Sequence, residues 1–445
     1  MKWKLIAALA AAAPFAAQAT DGYFSHGYGM VAKGMGGASF AVAGNAFGAA
    51  NNPATMVFSG DVLEIGVDLF SPHRDAERTG APAVAGLNGS ATSDSNYFAI
   101  PELAYNRMVK ANLSWGVTLY GNGGMNTDYP GGQLASPGAC GPATGPGTGF
   151  NPAPGPYNLL CGNGRLGVDL SQAILAPSLA MKVAPGHSIG IAPLFAYQRF
   201  KAEGLQAFGG FSTDPGAFTN RGYDSSTGWG ARIGYYGRIT PQFAIGATYT
   251  TKMRMGDFEK YRGLFAEHGG FDIPSHYGVG VSFEPSAELQ LALDYERIKY
   301  SDVKSVNNPS ANLFMCAGGD SSACLGGSNG AGFGWRDIDV WKLGVQYRMS
   351  PALTLRAGYN LSENPIPPED VTINILAPGV MRHHVTVGGT WSLDPASSLT
   401  LAAMYAFRND VTAPSLFNAF APGLAMQEKI RMYEYSLGVQ YEKRF

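Results

Sequence analysis

Gly326-Gly327-Ser328-Asn329-Gly330 has the G-x-S-x-G spacing of a serine nucleophile. That motif acts only where a strand turns sharply into a helix. Here it lies in a Gly/Ser-rich stretch beside Cys324, and it reads as loop. His383-His384 is an adjacent pair, but neighbours on a strand point to opposite faces and cannot share a metal ion. The remaining histidines, His26, His73, His187, His268 and His276, are scattered. Gly27-Tyr28-Gly29 lacks the third glycine of a dinucleotide fingerprint, and nothing matches a P-loop. Cys140 and Cys161 fall in one Gly/Pro-rich stretch, Cys316 and Cys324 in another. The economical pairing among three is two loop-local disulfides, Cys140–Cys161 and Cys316–Cys324, and no CxxC or His-rich spacing argues for a metal instead. The expectation is no catalytic constellation, no metal and no cofactor.

The residues left for chemistry suit hydrophobic ligands. Three predicted loops carry apolar side chains: Phe208, Phe211 and Phe218; Ile373, Ile375 and Leu376; Leu416, Phe417 and Phe420. Apolar loop tips in water are unfavourable unless they cover a groove or meet lipid. They read either as a capture surface or as packing between loops and contact with lipopolysaccharide. For an anionic ligand, strand parity puts Arg232, Lys342 and Arg356 on the polar face; pairing with acids such as Asp294 or Asp339 is the competing role. Leu113, Trp115, Val117 and Leu119 alternate as a strand until Tyr120-Gly121-Asn122-Gly123-Gly124 interrupts. Glycines within a strand mark a bulge, a kink or a close backbone approach.

The elements that must position these residues come from composition and pattern. In 445 residues only 14% are charged and the net charge is −2, so no nucleic-acid partner is expected. Sixty glycines and 12% aromatic residues suit many strands and long loops better than a helical or α/β enzyme. A mean hydropathy near zero fits a soluble protein or a barrel that is apolar outside and polar inside. Lys2 and Lys4 before Leu5–Phe15, closed by Ala17-Gln18-Ala19, form a secretory signal peptide over 1–19. From Thr20 to Gly60 there is no sustained alternation. Asn45 is a candidate cap for a helix over Ala46–Ala50, and Pro53 fits the first turn of another over Ala54–Phe58. This apolar, strand-poor segment reads as a plug held inside the strand-rich remainder of the chain.

From Asp61 onward, period-2 alternation dominates. Tyr433, Tyr435, Leu437, Val439 and Tyr441 share one face, with Glu434, Ser436, Gly438, Gln440 and Glu442 on the other. Short turns near 110–111, 185–186, 240–241, 285–286, 350–351 and 394–395 alternate with long connections near 71–95, 129–167, 205–226, 257–272, 305–334, 363–381 and 412–429. This predicts an all-β, fourteen-stranded antiparallel transmembrane barrel over 61–445. A soluble sandwich does not predict such strict alternation.

Asn52-Pro53-Ala54, the run Gly121–Asp128, and Glu363–Met381 before the strand His384–Leu393 together resemble the FadL/TodX family of outer-membrane channels for fatty acids and hydrophobic compounds. The likeness runs from the leader to Phe445. It implies a barrel closed by an N-terminal hatch, ligand capture at external loops, and sideways exit through a gap made by a kinked third strand. Asn52, Pro53 and Ala54 would be the hatch motif, meeting a kink formed by Gly121, Asn122, Gly123 and Gly124. Phe445 resembles the terminal aromatic signal read by the barrel-assembly machinery, although Lys443 departs from the usual apolar residue. The expected protein is a monomeric, passive outer-membrane channel of a Gram-negative bacterium, in contact with lipid and lipopolysaccharide. It would take long-chain fatty acids or, alternatively, aromatic hydrocarbons; a non-selective porin or surface receptor is the remaining reading.

Overall fold

The computed structural model describes residues 20–134, 140, 155–420 and 423–445; the leader lies outside them. Fourteen long strands succeed one another: β1 Val62–Thr79, β2 Phe98–Lys110, β3 Leu113–Asn126, β4 Gly167–Ala184, β5 His187–Glu203, β6 Asp224–Thr240, β7 Phe243–Thr250, β8 His276–Phe283, β9 Leu289–Ile298, β10 Ile338–Ser350, β11 Leu353–Ser362, β12 His383–Asp394, β13 Ser397–Pro414 and β14 Gln427–Arg444. Each pairs antiparallel with the next, and β14 returns to β1 from Val62↔Arg444 to Thr79↔Gln427. The sheet therefore closes on itself into a barrel, the β arrangement suited to lipid because strand pairing satisfies the backbone groups. Short strands at Gly89–Thr92 and Arg254–Met255 extend β1 and β6 into the loops. Both disulfides, Cys140–Cys161 and Cys316–Cys324, are formed.

The alternation predicted for β14 is observed: Tyr435, Leu437, Val439 and Tyr441 are 37–56% exposed, whereas Glu434, Ser436 and Gln440 are buried. A membrane barrel inverts the soluble rule, so its apolar face is the exposed one. The six short turns fall where expected. The first long connection does not, because β1 runs on to Thr79. Its stretch Ser71–Thr79 is charged on both faces, which hides the strand, yet β14 pairs with it along its whole length. Asp339 also differs from expectation: it has the parity of Trp341, faces outward, and accepts from Arg297 and the Tyr295 hydroxyl at 2.7 and 2.8 Å.

Residues 20–60 contain short helices at Met30–Gly34 and Gly48–Asn51 and a 3₁₀ turn at Pro53–Phe58, and none of them is exposed. The Met30–Gly34 helix carries no sequence signal of the kind that marks the other two. The expected Asn45 cap is not used, since the helix starts after Phe47; Asn52 caps the 3₁₀ turn, accepting from the Ala54 amide. The segment bonds inward-facing groups around the wall. Met30 N donates to Gln440 of β14, Gly36 N to Thr386 of β12 and Ser39 N to Asp294 of β9, while Lys33 reaches Asp68 of β1 and Glu102 of β2. Inward glycines let its backbone touch the sheet. A Cβ on Gly246 would overlap the Phe40 carbonyl, and one on Gly358 the Gly36 amide. This is why the inner face reads as polar or glycine.

Candidate functional site

The wall loses its pairing between β2 and β3 part-way up, a longer break than the β4–β5 ladder's omission of Ala176–Ser178 opposite Ala192–Leu194. Strands β2 and β3 pair from the Lys110/Leu113 turn up to Leu103↔Leu119 and then part. Beyond that point β2 stays with β1, ending at Phe98↔Phe70, and β3 stays with β4, ending at Asn126↔Asp169. The parting coincides with a bulge. Gly121 faces Ala173 and Gly123 faces Gln172, which leaves Asn122 as an extra residue. An extra residue bends its strand and disrupts the local ladder. The window is bounded below by the Leu103/Leu119 pair. Above, Asp94 N bonds the Asp128 carbonyl at 2.9 Å, and Arg74 of β1 bonds the Asn126 carbonyl at 2.5 Å. Pro101, which has no amide hydrogen to leave unsatisfied, sits in the unpaired part of β2.

From inside, the start of the N-terminal segment fills this window. Phe24 forms an isolated bridge with Gly123; Gly124 N donates to the Tyr23 carbonyl at 3.0 Å, and Ser25 N to the Asn122 carbonyl at 3.2 Å. Asn122 also binds sideways, accepting from the Tyr28 hydroxyl at 3.1 Å and donating to Gln172 at 3.1 Å. Tyr23 is held in turn by Tyr300, whose hydroxyl accepts from Tyr23 N and donates to the Asp21 carbonyl. Burial pushes the Asp21 carboxyl up to about 7, against the pull of Lys342 at 3.9 Å.

Asn-Pro-Ala lies elsewhere. Asn52 donates to the Phe40 and Tyr235 carbonyls at 2.7 and 2.9 Å, and Pro53 presses on Gly190 of β5 beside Gly234 of β6. The kink is met by Tyr23–Ser25 instead, because the 3₁₀ turn docks against a different part of the wall.

The three predicted cations are already engaged. Arg232 donates to Thr250 at 2.8 Å, to the Ala49 carbonyl at 3.1 Å and to the Ala50 carbonyl, capping the end of the Gly48–Asn51 helix. Lys342 is paired with Glu296 at 2.6 Å, and Glu296 also holds His276. Arg356 donates to Gln346 at 2.7 Å and Thr390 at 2.6 Å. Each bonds a fixed protein group rather than facing an empty site.

The apolar loop residues are not a water-facing surface. Phe208, Phe218, Ile375, Leu376, Leu416 and Phe417 are buried, while Phe211, Ile373 and Phe420 are half-buried. Loops pack on one another, with Phe208–Phe417 ring centroids 6.2 Å apart and Phe211–Phe420 5.5 Å apart. Between them lies an apolar cavity lined by Phe208, Ile373 and Leu376 together with Phe200, Phe265 and Phe333. A second cavity starts one residue along the same loop, at Ala377–Gly379. Tyr23, Phe70, Met125, Trp335 and Met432 line it, with Arg74 and the Gly124–Asn126 edge of the window. Sequence reasoning missed Tyr23, Phe24, Arg74 and Trp335. The aromatic pair just after the leader was the available sign for the first two; Arg74 was hidden in a predicted loop.

A closed fourteen-stranded barrel, apolar outside and filled inside by its own N-terminal segment, defines an outer-membrane channel architecture. Residues 162–445 match the family described as outer membrane protein transport protein (OMPP1/FadL/TodX). The chain belongs to this family, whose members are transport channels and not enzymes. Among solved structures it is similar to the Pseudomonas putida toluene transporter TodX, at 18% identity and TM-score 0.66 over 94% of this chain and 99% of that one. It is likewise similar to a Pseudomonas aeruginosa FadL homologue, at 14% identity and TM-score 0.66 over 95% and 99%. The Ralstonia pickettii toluene transporter TbuX is similar at 16% identity and TM-score 0.58 over 94% and 99%. No curated protein matches.

Proposed function

We propose that this chain is a passive outer-membrane channel for hydrophobic small molecules, long-chain fatty acids or similar compounds, that enter among the external loops and leave sideways through the β2–β3 window. The observation that carries the reading is the unpaired wall at the Asn122 bulge, with an apolar cavity directly behind it. Residues 20–60 act as a hatch over that exit, the leader 1–19 exports the chain, and 61–445 form the barrel as a monomer. Lateral release keeps a greasy ligand out of bulk water, at about 0.8 kcal/mol per CH₂ group. It also delivers the ligand below the lipopolysaccharide layer. Phe445, 74% exposed at the end of β14, is available to the assembly machinery. Aromatic hydrocarbons are the second reading, favoured by the loop cavity, in which Ser305 is the sole polar side chain among the lining residues.

The test deletes Asn122, which removes the bulge and restores regular β3–β4 register. Cells lacking their own transporter should take up labelled fatty acid or toluene with the wild-type chain and lose uptake with the deletion, at equal barrel assembly. Equal uptake by both would rule out the window as the exit.

A further inference from the structure

On the outer surface, one row of ladder partners crosses four strands from the foot of the window: Leu119 of β3, Leu175 of β4, Phe195 of β5 and Trp229 of β6, ending on Arg254. Leu175, Phe195 and Trp229 are 42%, 53% and 65% exposed, so the row faces lipid. The next row towards the external loops is small at Ala173 and Thr227, on either side of Tyr197. Large side chains beside small ones leave a groove of about 670 Å³ in the outer wall, with Arg254 at its far end. That is the size of a small-molecule site, about 300–1,000 Å³.

Arg254 is exposed, and its guanidinium has no ion pair and no hydrogen-bond acceptor among the described residues. Neighbouring cations are engaged: Arg199 lies 4.6 Å over the Tyr223 ring, Lys201 pairs with Glu203 at 3.2 Å and Lys252 with Asp272 at 3.0 Å. Of the other acids in the loop hollow beside Arg254, Glu267 pairs with Lys304 at 2.9 Å and Asp302 accepts from Ser275; Asp257 stays beyond ion-pair distance of Arg254. Arg254 belongs to the connection that leaves β7 opposite the short turn at 240–241, and such long connections face the cell exterior. A tryptophan at this height marks the membrane–water interface. The groove therefore sits in the outer leaflet, its floor among acyl chains and its one cation among headgroups. There a guanidinium attracts phosphate and can hold it through two parallel hydrogen bonds. A second hollow in the outer wall, about 850 Å³ at Leu179, Ile191, Ile233 and Tyr249, lies nearer the short turns; no charged residue lines it, so it offers nothing to a headgroup.

We infer that the upper groove binds one molecule of lipopolysaccharide, with an acyl chain along Leu175, Phe195 and Trp229 and a headgroup phosphate on Arg254. A zwitterionic phospholipid fits less well, because its own amine already balances its phosphate. A second copy of this chain docked symmetrically would bring Arg254 against Arg254. The site lies outside the barrel and does not depend on the channel reading. It fixes a lipid beside the β3 edge of the window.

The experiment titrates the purified full-length barrel in detergent with lipid A, once carrying its phosphates and once dephosphorylated, and counts bound lipid by native mass spectrometry. Wild type should bind the phosphorylated form roughly 10-fold more tightly, the effect of one charge-assisted contact. Arg254→Gln should bring both forms to the same, weaker affinity. Thr227→Trp fills the groove from an exposed position and should weaken both. Heat-modifiable migration in gels checks that each variant is a folded barrel. A wild type that does not distinguish the two forms would overturn the assignment, and it needs no variant to fold. A phosphate preference that survives Arg254→Gln would also overturn it, as would unaltered binding by folded Thr227→Trp. Phosphatidylethanolamine competing as well as phosphorylated lipid A would replace lipopolysaccharide with ordinary phospholipid as the occupant.

Discussion

Gly123→Ala tests the closure of the window by one methyl group. Gly123 does not adopt a left-handed backbone conformation, so alanine costs nothing there through φ. The conflict is steric: the new Cβ would overlap the Tyr23 carbonyl oxygen, a main-chain atom that cannot rotate away. Displacing Tyr23 removes the Gly124–Tyr23 and Asn122–Ser25 backbone bonds, about 1 kcal/mol each. It also draws out Phe24, now 2% exposed, whose burial contributes about 1.5–3 kcal/mol. Together the closed window should lose about 4 kcal/mol, or roughly a thousand-fold in its equilibrium. Barrel pairing of β3 with β4 lies on the other edge of the strand and should survive. Hydrogen exchange read by mass spectrometry should show the amides of residues 23–25 losing protection while those of β4 keep theirs. Uptake should rise or become leaky. Unchanged protection would refute the steric argument, and lost protection with unchanged transport would disconnect this contact from the path.

Lys33→Met should loosen the whole N-terminal segment, because it removes the cation, only 2% exposed, that Asp68 and Glu102 share. Breaking a buried ionic cluster by removing one partner costs about 3–5 kcal/mol. Protease cleavage within 20–60 should speed up, and adding Asp68→Asn with Glu102→Gln should restore resistance; unaltered cleavage would show that the ion pairs do not hold the segment. Asp21 adds a pH dependence. Its carboxyl is raised to about 7 when buried, from an ordinary value of 3.8, so the docked segment binds the extra proton. Its stabilising contribution is full below about pH 4, falls as pH rises towards 7, and is flat above. Asp21→Asn should abolish that part of the slope when exchange protection at 20–24 is compared with wild type at each pH; parallel curves would refute it.

The barrel was legible in the amino-acid order because membrane strands must show a side-chain period of two and must close. Tyr435/Leu437/Val439 against Ser436/Gly438/Gln440, and turns at Pro185-Gly186 or Asp394-Pro395, are local signals that need no knowledge of neighbours. The glycine interruption at Gly121–Gly124 and the apolar segment before Gly60 were equally local. Where the segment would dock was not, since inward glycines at 123 and 190 accept close backbone and Gly234 accepts the Asn52 side chain, and only the folded path of 20–60 assigns Tyr23 to the first and Asn52-Pro53 to the others. The extent of β1 was hidden for a related reason: Ser71–Thr79 carries no apolar period, and β14 and the loops supply its order. That strand decides the roles of the arginines, for parity identifies which residues face inward but not which carboxylates meet them. Glu428 neutralises Arg78, Glu296 neutralises Lys342, and no acid among the described residues pairs with Arg74. Charge balance depends on distances between strands far apart in the chain, so the periodic sequence determined the wall, and tertiary packing alone decided where that wall opens and which charge stands behind it.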